Sequence, residues 1–161
     1  MRAQYLIRPV RTSDWDRILA IERASFGPEA YDRKLFADYK ARCPGLFLVA
    51  TRREKVCGYA ISCLRGAASG ARAELVSVAV DPALRQAGAA SALLDSTLRR
   101  LRRRGVRRIH LMVRVGNQAA RAFYEKYGFR RIRLVRGYYE DGGDGVAMGR
   151  EIGPRAGSTP G

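Results

Sequence analysis

Leu75-Val76-Ser77-Val78-Ala79-Val80-Asp81-Pro82-Ala83-Leu84-Arg85-Gln86-Ala87-Gly88-Ala89-Ala90 is the stretch from which the fold is read. Its first six residues are nearly all apolar, the pattern of a central strand covered on both faces, which needs no polar alternation. Asp81-Pro82 ends that strand. From Ala90 onward Leu93, Leu94, Leu98 and Leu101 recur at helical spacing, so the residues from Arg85 to Ala90 form a loop between a strand and a helix N-terminus. The unpaired amides of a first helical turn and the positive end of the helix dipole attract anions. Small residues at Gly88, Ala89 and Ala90 would let a diphosphate reach the backbone. Neither G-x-G-x-x-G nor a Walker lysine loop is present, which sets aside the dinucleotide and P-loop readings. An ordinary glycine-containing turn stays open as the alternative.

Outward from this stretch the hydrophobic period alternates between that of strands and that of helices. Tyr5 to Arg8 reads as a short strand, and Trp15, Ile18, Leu19, Glu22 and Phe26 trace one side of a helix. Ser13 and Asp16 resemble its capping box, and Gly27-Pro28 is its stop. A second helix is predicted from Asp32 to Arg42, with Leu35, Phe36 and Tyr39 on one side, before Cys43-Pro44-Gly45 breaks the pattern. Leu46 to Ala50 and Val56 to Leu64 read as a hairpin around Arg53-Glu54. After the long central helix Gly105 is a stop signal, and Arg108 to Val113 is the next strand, reached by a right-handed parallel crossover. Asn117 caps a helix through Tyr127, and Phe129 to Arg136 with Val146 to Ile152 make a closing antiparallel pair. The order β, α, α, β, β, β, α, β, α, β, β predicts a three-layer α/β fold. Its mixed, mostly antiparallel sheet carries one parallel βαβ step flanked by helices. The length of 161 residues suits one domain, residues 1–152, with a disordered tail over 153–161 and a flexible loop from Gly66 to Gly70.

No apolar run approaches the ~18–20 residues of a membrane span, and Met1 to Gln4 leads into a strand rather than a signal sequence. The expectation is a soluble, cytoplasmic protein. Cys43, Cys57 and Cys63 are odd in number and lack C-x-x-C spacing, so neither a disulfide framework nor a metal site is expected; they read as small core or surface residues. The formal charge is +16, and of 31 basic residues only Lys34, Lys40, Lys55 and Lys126 are lysines. Such a surface would attract polyanions, a coenzyme or an RNA-bearing partner among them. An arginine-rich coding bias placed on solvent-facing positions explains it equally, and Arg99-Arg100-Leu101-Arg102-Arg103-Arg104 fits either reading. No aromatic residues interleave that run, as a stacking platform for single strands would require.

The R-x-x-G-x-A pattern of Arg85 to Ala90 is joined by a second block, N-x-x-A-x-x-x-Y-x-x-x-G-F, carried by Asn117, Ala120, Tyr124, Gly128 and Phe129. Together they resemble the GNAT superfamily of acyl-CoA-dependent N-acyltransferases. With Tyr138-Tyr139 the resemblance is closest to the ribosomal-protein N-terminal alanine acetyltransferases. It covers about Tyr5 to Ile152, with weak motifs before Ala73 and specific ones after it. It implies acetyl-CoA as co-substrate and direct transfer to an amine. By the resemblance, backbone groups of Val78, Ala79 and Val80 pair with the pantetheine arm. Arg85, Gln86, Ala87, Gly88, Ala89, Ala90 and Ser91 hold the pyrophosphate, and Asn117 contacts the arm. Tyr124 matches the family's general acid, Tyr138 and Tyr139 line the peptide groove, and Phe26 and Tyr31 loosely match the other substrate wall.

The base departs from that pattern. Relatives carry a glutamate where this chain has Met112, and methionine cannot take a proton. Glu74, fourteen residues before Gly88, stands where other branches of the superfamily hold a glutamate; a solvated strand-end carboxylate is its plain alternative. His110 shares a strand face with Met112 and reads as structural. Amine acidity then bears on the substrate. An α-amine near 7.7–8.0 is neutral about 10% of the time at neutral pH against roughly 0.04% for lysine, a gap of about 3 kcal/mol. A site without a strong base therefore favours a protein N-terminus, a ribosomal protein by the resemblance. Acetyl-CoA and that N-terminus are the partners implied, with no membrane, a monomer or weak dimer, and nucleic-acid contact left open by the charge. Two other classes stay open: N-acetylation of a small amine such as a polyamine, amino acid or antibiotic, and a catalytically silent CoA- or RNA-binding module.

Overall fold

The computed structural model describes residues 4–66, 72–85 and 87–153. Gln86, most of the predicted Gly66 to Gly70 loop and the predicted tail beyond Gly153 lie outside the described residues. The elements are β1 (Leu6–Pro9), α1 (Trp15–Phe26), α2 (Arg33–Arg42), β2 (Phe47–Arg52), β3 (Lys55–Arg65), β4 (Arg72–Val80), α3 (Ala89–Arg103), β5 (Arg108–Arg114), α4 (Gln118–Lys126), β6 (Arg130–Val135) and β7 (Gly145–Glu151). The predicted order of strands and helices is the observed one. A seven-stranded sheet has the order β1-β2-β3-β4-β5-β7-β6, and its one parallel register pairs Arg72, Ala73 and Glu74 of β4 with Arg108, Ile109 and His110 of β5.

The chain forms two compact units, the first from Met1–Cys63 with Leu75–Leu101, the second from Leu64–Glu74 with Arg102–Gly161. In the first, β1 and β3 flank β2 antiparallel, and alternation along β2 and β3 supplies two apolar faces. Phe47 and Tyr59 meet Phe36 of α2 at ring separations of 5.9 and 5.4 Å, and Trp15 of α1 lies 5.8 Å from Phe47. On the other face Leu48, Ala50 and Ala60 pack with Val80, Ala89 and Leu93. The β2–β3 turn puts Arg53 and Glu54 at φ 51° and 64°, the two left-handed residues of a hairpin turn whose twist matches the strands. In the second unit β7 lies antiparallel between β5 and β6. Ile109, Leu111 and Val113 are buried, alternating with the more exposed Arg108, His110, Met112 and Arg114. No helix among the described residues is long and apolar enough to cross a membrane, and those residues contain no cluster of three metal-ligating side chains.

Three sequence expectations are corrected. The capping box of Ser13 and Asp16 does not form. A short 3₁₀ turn, Thr12–Asp14, precedes α1, and the Asp14 carboxylate accepts from the Arg11 amide at 2.7 Å and from both terminal nitrogens of Arg8 at 2.8 and 2.9 Å. Strand β4 is not covered on both faces: Val76, Ser77 and Val78 are half-buried. Finally, Cys43 and Cys63 form a disulfide, leaving Cys57 as a buried free thiol. Position explains the pairing. Cys43 closes α2 and Cys63 lies near the end of β3, their Cα atoms 5.1 Å apart. Closing a loop with a sequence separation of 20 is worth about 3 kcal/mol through the unfolded state. The double variant Cys43→Ala, Cys63→Ala is expected to lose about that much in urea unfolding and to lose all sensitivity to dithiothreitol, the wild type falling to its level when reduced.

Candidate active site

Each unit carries part of the constellation read from the sequence. In the first unit β4 ends at Val80, a 3₁₀ turn spans Pro82–Leu84, and α3 begins at Ala89. The loop geometry starts at Asp81, whose amide donates to the Cys57 carbonyl at 2.8 Å and whose carboxylate accepts from the Ala83 amide at 3.0 Å. Arg17 of α1 donates to Asp81 Oδ2 at 2.8 Å and twice to the Val56 carbonyl, at 2.9 and 3.1 Å. The guanidinium holds the Asp81 carboxyl below the usual carboxylate range. Sequence reasoning missed Arg17, which lies off the apolar stripe of α1 and is half-exposed, so nothing in the local pattern marks it.

Gly88 takes φ +97°, a conformation that L side chains rarely adopt, although a Cβ there would meet nothing within 4 Å. Its requirement is conformational, and its surroundings are open. Ala92 makes the first turn bond back to the Gly88 carbonyl, at 3.0 Å, which leaves the amides before it outside the helical ladder. Arg85, Ala87 and Gly88 are exposed and Ala90 and Ser91 half-buried, whereas Ala89 is 1% exposed inside the apolar cluster. The small residue at Ala89 therefore serves packing as well as backbone access. On β4, Ala79 and Val80 are buried. The Ala79 carbonyl lies over Gly58, where a Cβ would stand 2.8 Å from it.

The α1–α2 connection is tied to the core by a residue that belongs to the traced helix face. Glu22 is 1% exposed; it accepts from the Tyr31 amide at 2.8 Å and from the Tyr59 hydroxyl, which also lies 3.1 Å from Ser77 Oγ. Burial pushes the Glu22 carboxyl upward against these hydrogen bonds, and burial beside Glu22 pushes the Tyr59 phenol well up. The Tyr31 ring packs on Phe36 and Tyr39 at 5.7 and 6.1 Å, and Phe26 is 39% exposed.

In the second unit Tyr124, on α4, packs between Phe123 and Phe129 at 5.5 and 5.6 Å. Its phenol is pushed up to about 12, first by burial and then by the charge of Tyr139. Tyr138 and Tyr139 meet edge to face at 4.9 Å, and the Arg114 guanidinium lies 4.1 Å over Tyr139 while it pairs with Asp141 at 3.2 Å. Met112 also belongs to this group: a Cβ at Gly145 would stand 2.9 Å from its sulfur and 3.4 Å from Tyr138 Cβ. The structure thus brings Tyr124, Tyr139, Tyr138 and Met112 into one neighbourhood. Asn117 caps α4, its side chain accepting from the Ala120 amide at 3.1 Å. Glu74 stands level with His110 across the parallel register. One of its oxygens accepts two hydrogen bonds from Arg65, at 2.9 and 2.6 Å.

In the first unit a strand delivers its end to a glycine-containing helix start, and in the second α4 presents the half-buried Tyr124. The acetyltransferase (GNAT) family model matches residues 15–129, and the chain belongs to that family; it is an acetyltransferase. An N-alpha-acetyltransferase of Saccharolobus solfataricus is 30% identical over 157 residues, covering 92% of this chain and 93% of the relative. Among solved structures, Ard1 from Thermoplasma volcanium superposes with a TM-score of 0.85 at 29% identity, over 92% of this chain and 97% of that one. The ribosomal-protein-S18-alanine N-acetyltransferase from Escherichia coli does so with a TM-score of 0.77 at 28% identity, over 98% and 100%.

Proposed function

We propose that this acetyltransferase moves the acetyl group of acetyl-CoA directly onto the α-amine of a protein N-terminus, in the cytoplasm, with ribosomal proteins among its substrates. The observation that carries the reading is the composition of the tyrosine neighbourhood: a phenol that keeps its proton, two further tyrosines, and Met112 in place of a base. Such a group serves an amine that sheds its own proton. Similarity to an N-alpha-acetyltransferase and to a ribosomal-protein alanine acetyltransferase supports the same substrate class.

The roles follow from the residues. Acetyl-CoA supplies the acetyl group as an activated thioester. The open loop at Gly88 fits its pyrophosphate: amides of Gly88, Ala89, Ala90 and Ser91, with Gln86 and Arg85, would hold it by helix-start electrostatics, while the Ala87 amide is given to the Leu84 carbonyl at 3.3 Å. Backbone groups of Val78, Ala79 and Val80 would align the pantetheine arm, with Asn117 as a further contact. Tyr124 donates a hydrogen bond to charge developing during transfer. A phenol near 12 is too weak an acid to protonate a thiolate outright, so the proton the sulfur finally takes is the one the amine gives up. Glu74, engaged by Arg65, would take through a water the first proton, which the ammonium loses before attack; the proton the sulfur takes is the second, lost from nitrogen after attack. Phe26, Tyr31, Tyr138 and Tyr139 would orient the peptide.

Thiol release from acetyl-CoA tests the reading, with peptides bearing free Ala, Ser, Met or Gly N-termini and one blocked peptide with an internal lysine. Turnover is expected on free α-amines and is expected to exceed that on lysine. Faster acetylation of the internal lysine, or no turnover on any peptide, overturns it.

A further inference from the structure

The second unit holds a cavity of about 800 Å³ that the acetyl-transfer reading does not use. Its charged lining comprises Arg108, Lys126, Arg130, Arg131 and Arg150 against the single carboxylate of Glu151. Arg150 is fixed by backbone: Nη1 donates to the Tyr127 carbonyl at 2.5 Å and Nε to the Glu151 carbonyl at 2.9 Å. Its positive charge is thereby oriented without being neutralised. Arg108, Lys126, Arg130 and Arg131 take part in no ion pair among the described residues. Strand β6 lies at the edge of the sheet and is exposed from Arg130 to Leu134. Beyond the cavity the strand carries Arg133, which the register places on the same face as Arg130 and opposite Arg131, about 10 Å further along the chain.

We propose that this cavity and the β6 edge form a binding site for the phosphodiester backbone of single-stranded RNA. Guanidinium forks match phosphate oxygens in pairs. A cavity of this volume with five cations is too large and too charged for one phosphate, and Arg133 extends its charge along the exposed β6 edge, as a polymer would need. Little aromatic surface is offered for base stacking, so recognition is through charge and independent of sequence.

The test is fluorescence anisotropy of a labelled oligouridylate of about 12 nucleotides, with the full chain and no acetyl donor, so the outcome is independent of the acetyl-transfer reading. The cavity variant Arg108→Gln, Arg130→Gln, Arg131→Gln is compared with a matched variant of the first unit, Arg23→Gln, Arg53→Gln, Arg99→Gln, which removes the same charge. Both are checked by thermal melting and acetyl transfer. The cavity variant is expected to weaken binding by about tenfold or more and to flatten the slope of log K against log salt by about 2, at ~0.7 per phosphate contact. The matched variant is expected to change affinity less than about threefold. Equal losses in both variants would mean that overall charge alone binds RNA, and overturn the site. So would displacement of the RNA by acetyl-CoA, or preferential binding of an acidic peptide of the same length.

Discussion

Tyr124→Phe is expected to lower kcat for peptide acetylation by about 10²-fold, close to 3 kcal/mol of transition-state stabilisation, with the KM for acetyl-CoA little changed. The ring stays where Phe123 and Phe129 hold it, so the substitution removes one hydroxyl and leaves the packing. The pH dependence separates this role from a structural one. Burial and Tyr139 push the Tyr124 phenol up to about 12, so it stays protonated over the whole working range and contributes no descending limb to the rate profile below about pH 10. The ascending limb belongs to the amine, near 7.7–8.0. A wild-type profile that falls between about pH 8 and 9 would assign the hydrogen-bond donor to another group. Glu74→Gln gives the contrasting pattern: if the carboxylate only helps the amine lose a proton, its effect is expected to be about tenfold at neutral pH and to vanish once the amine deprotonates unaided.

The loop from β4 to α3 was legible in the sequence because it rests on local signals: an apolar run, Asp-Pro, small residues at a helix start and leucines at helical spacing. The same holds for the Arg53-Glu54 hairpin and the Asn117 cap. What was not legible depends on distant neighbours. Cys43 and Cys63 carry no spacing that announces a bond, and pair because α2 ends where β3 ends. The apolar run from Val76 to Val78 promised a doubly covered strand, but hydrophobic composition cannot say which face has a neighbour. The start of α1 is held by Asp14 rather than Ser13, since Asp14 accepts from Arg8, six residues earlier, and from the Arg11 amide, while Asp16 pairs with Arg33 of α2. Of the candidate site, the tyrosines and the glycine loop could be placed from motif spacing. Arg17, which clamps Asp81, could not, since its partners are 39 and 64 residues away.

Glu22 did leave a mark: it sits on the apolar stripe of α1, four residues after Ile18, where a carboxylate has to find partners or be lost. Glu22→Ala is expected to cost about 4 kcal/mol. It strands the Tyr31 amide and one bond of the Tyr59 hydroxyl, at roughly 1–3 kcal/mol per buried donor, and it opens a hole in a site 1% exposed; Ser77, 3.1 Å from Tyr59, recovers part of the loss. Against a total stability of about 5–15 kcal/mol this is a large fraction, measurable as a fall in the urea midpoint at constant m. Glu22→Gln is expected to behave differently, because an amide can accept from Tyr31 and donate to Tyr59 oxygen while the Tyr59 proton turns to Ser77. Burial raises the Glu22 carboxyl above 4.5, so the folded state prefers it protonated. The stability this contributes is fully present below the unfolded chain's value and is lost as pH rises through the raised folded value. Glutamine has no such dependence. The Gln variant is therefore expected to gain on the wild type as pH rises from about 4 to neutrality, the difference cancelling the titration of Asp14 and Asp81 common to both proteins. An Ala variant within about 1 kcal/mol of the wild type, or a Gln-minus-Glu difference that does not grow with pH, would mean that the buried carboxylate does not hold the α1–α2 connection in the way its hydrogen bonds describe.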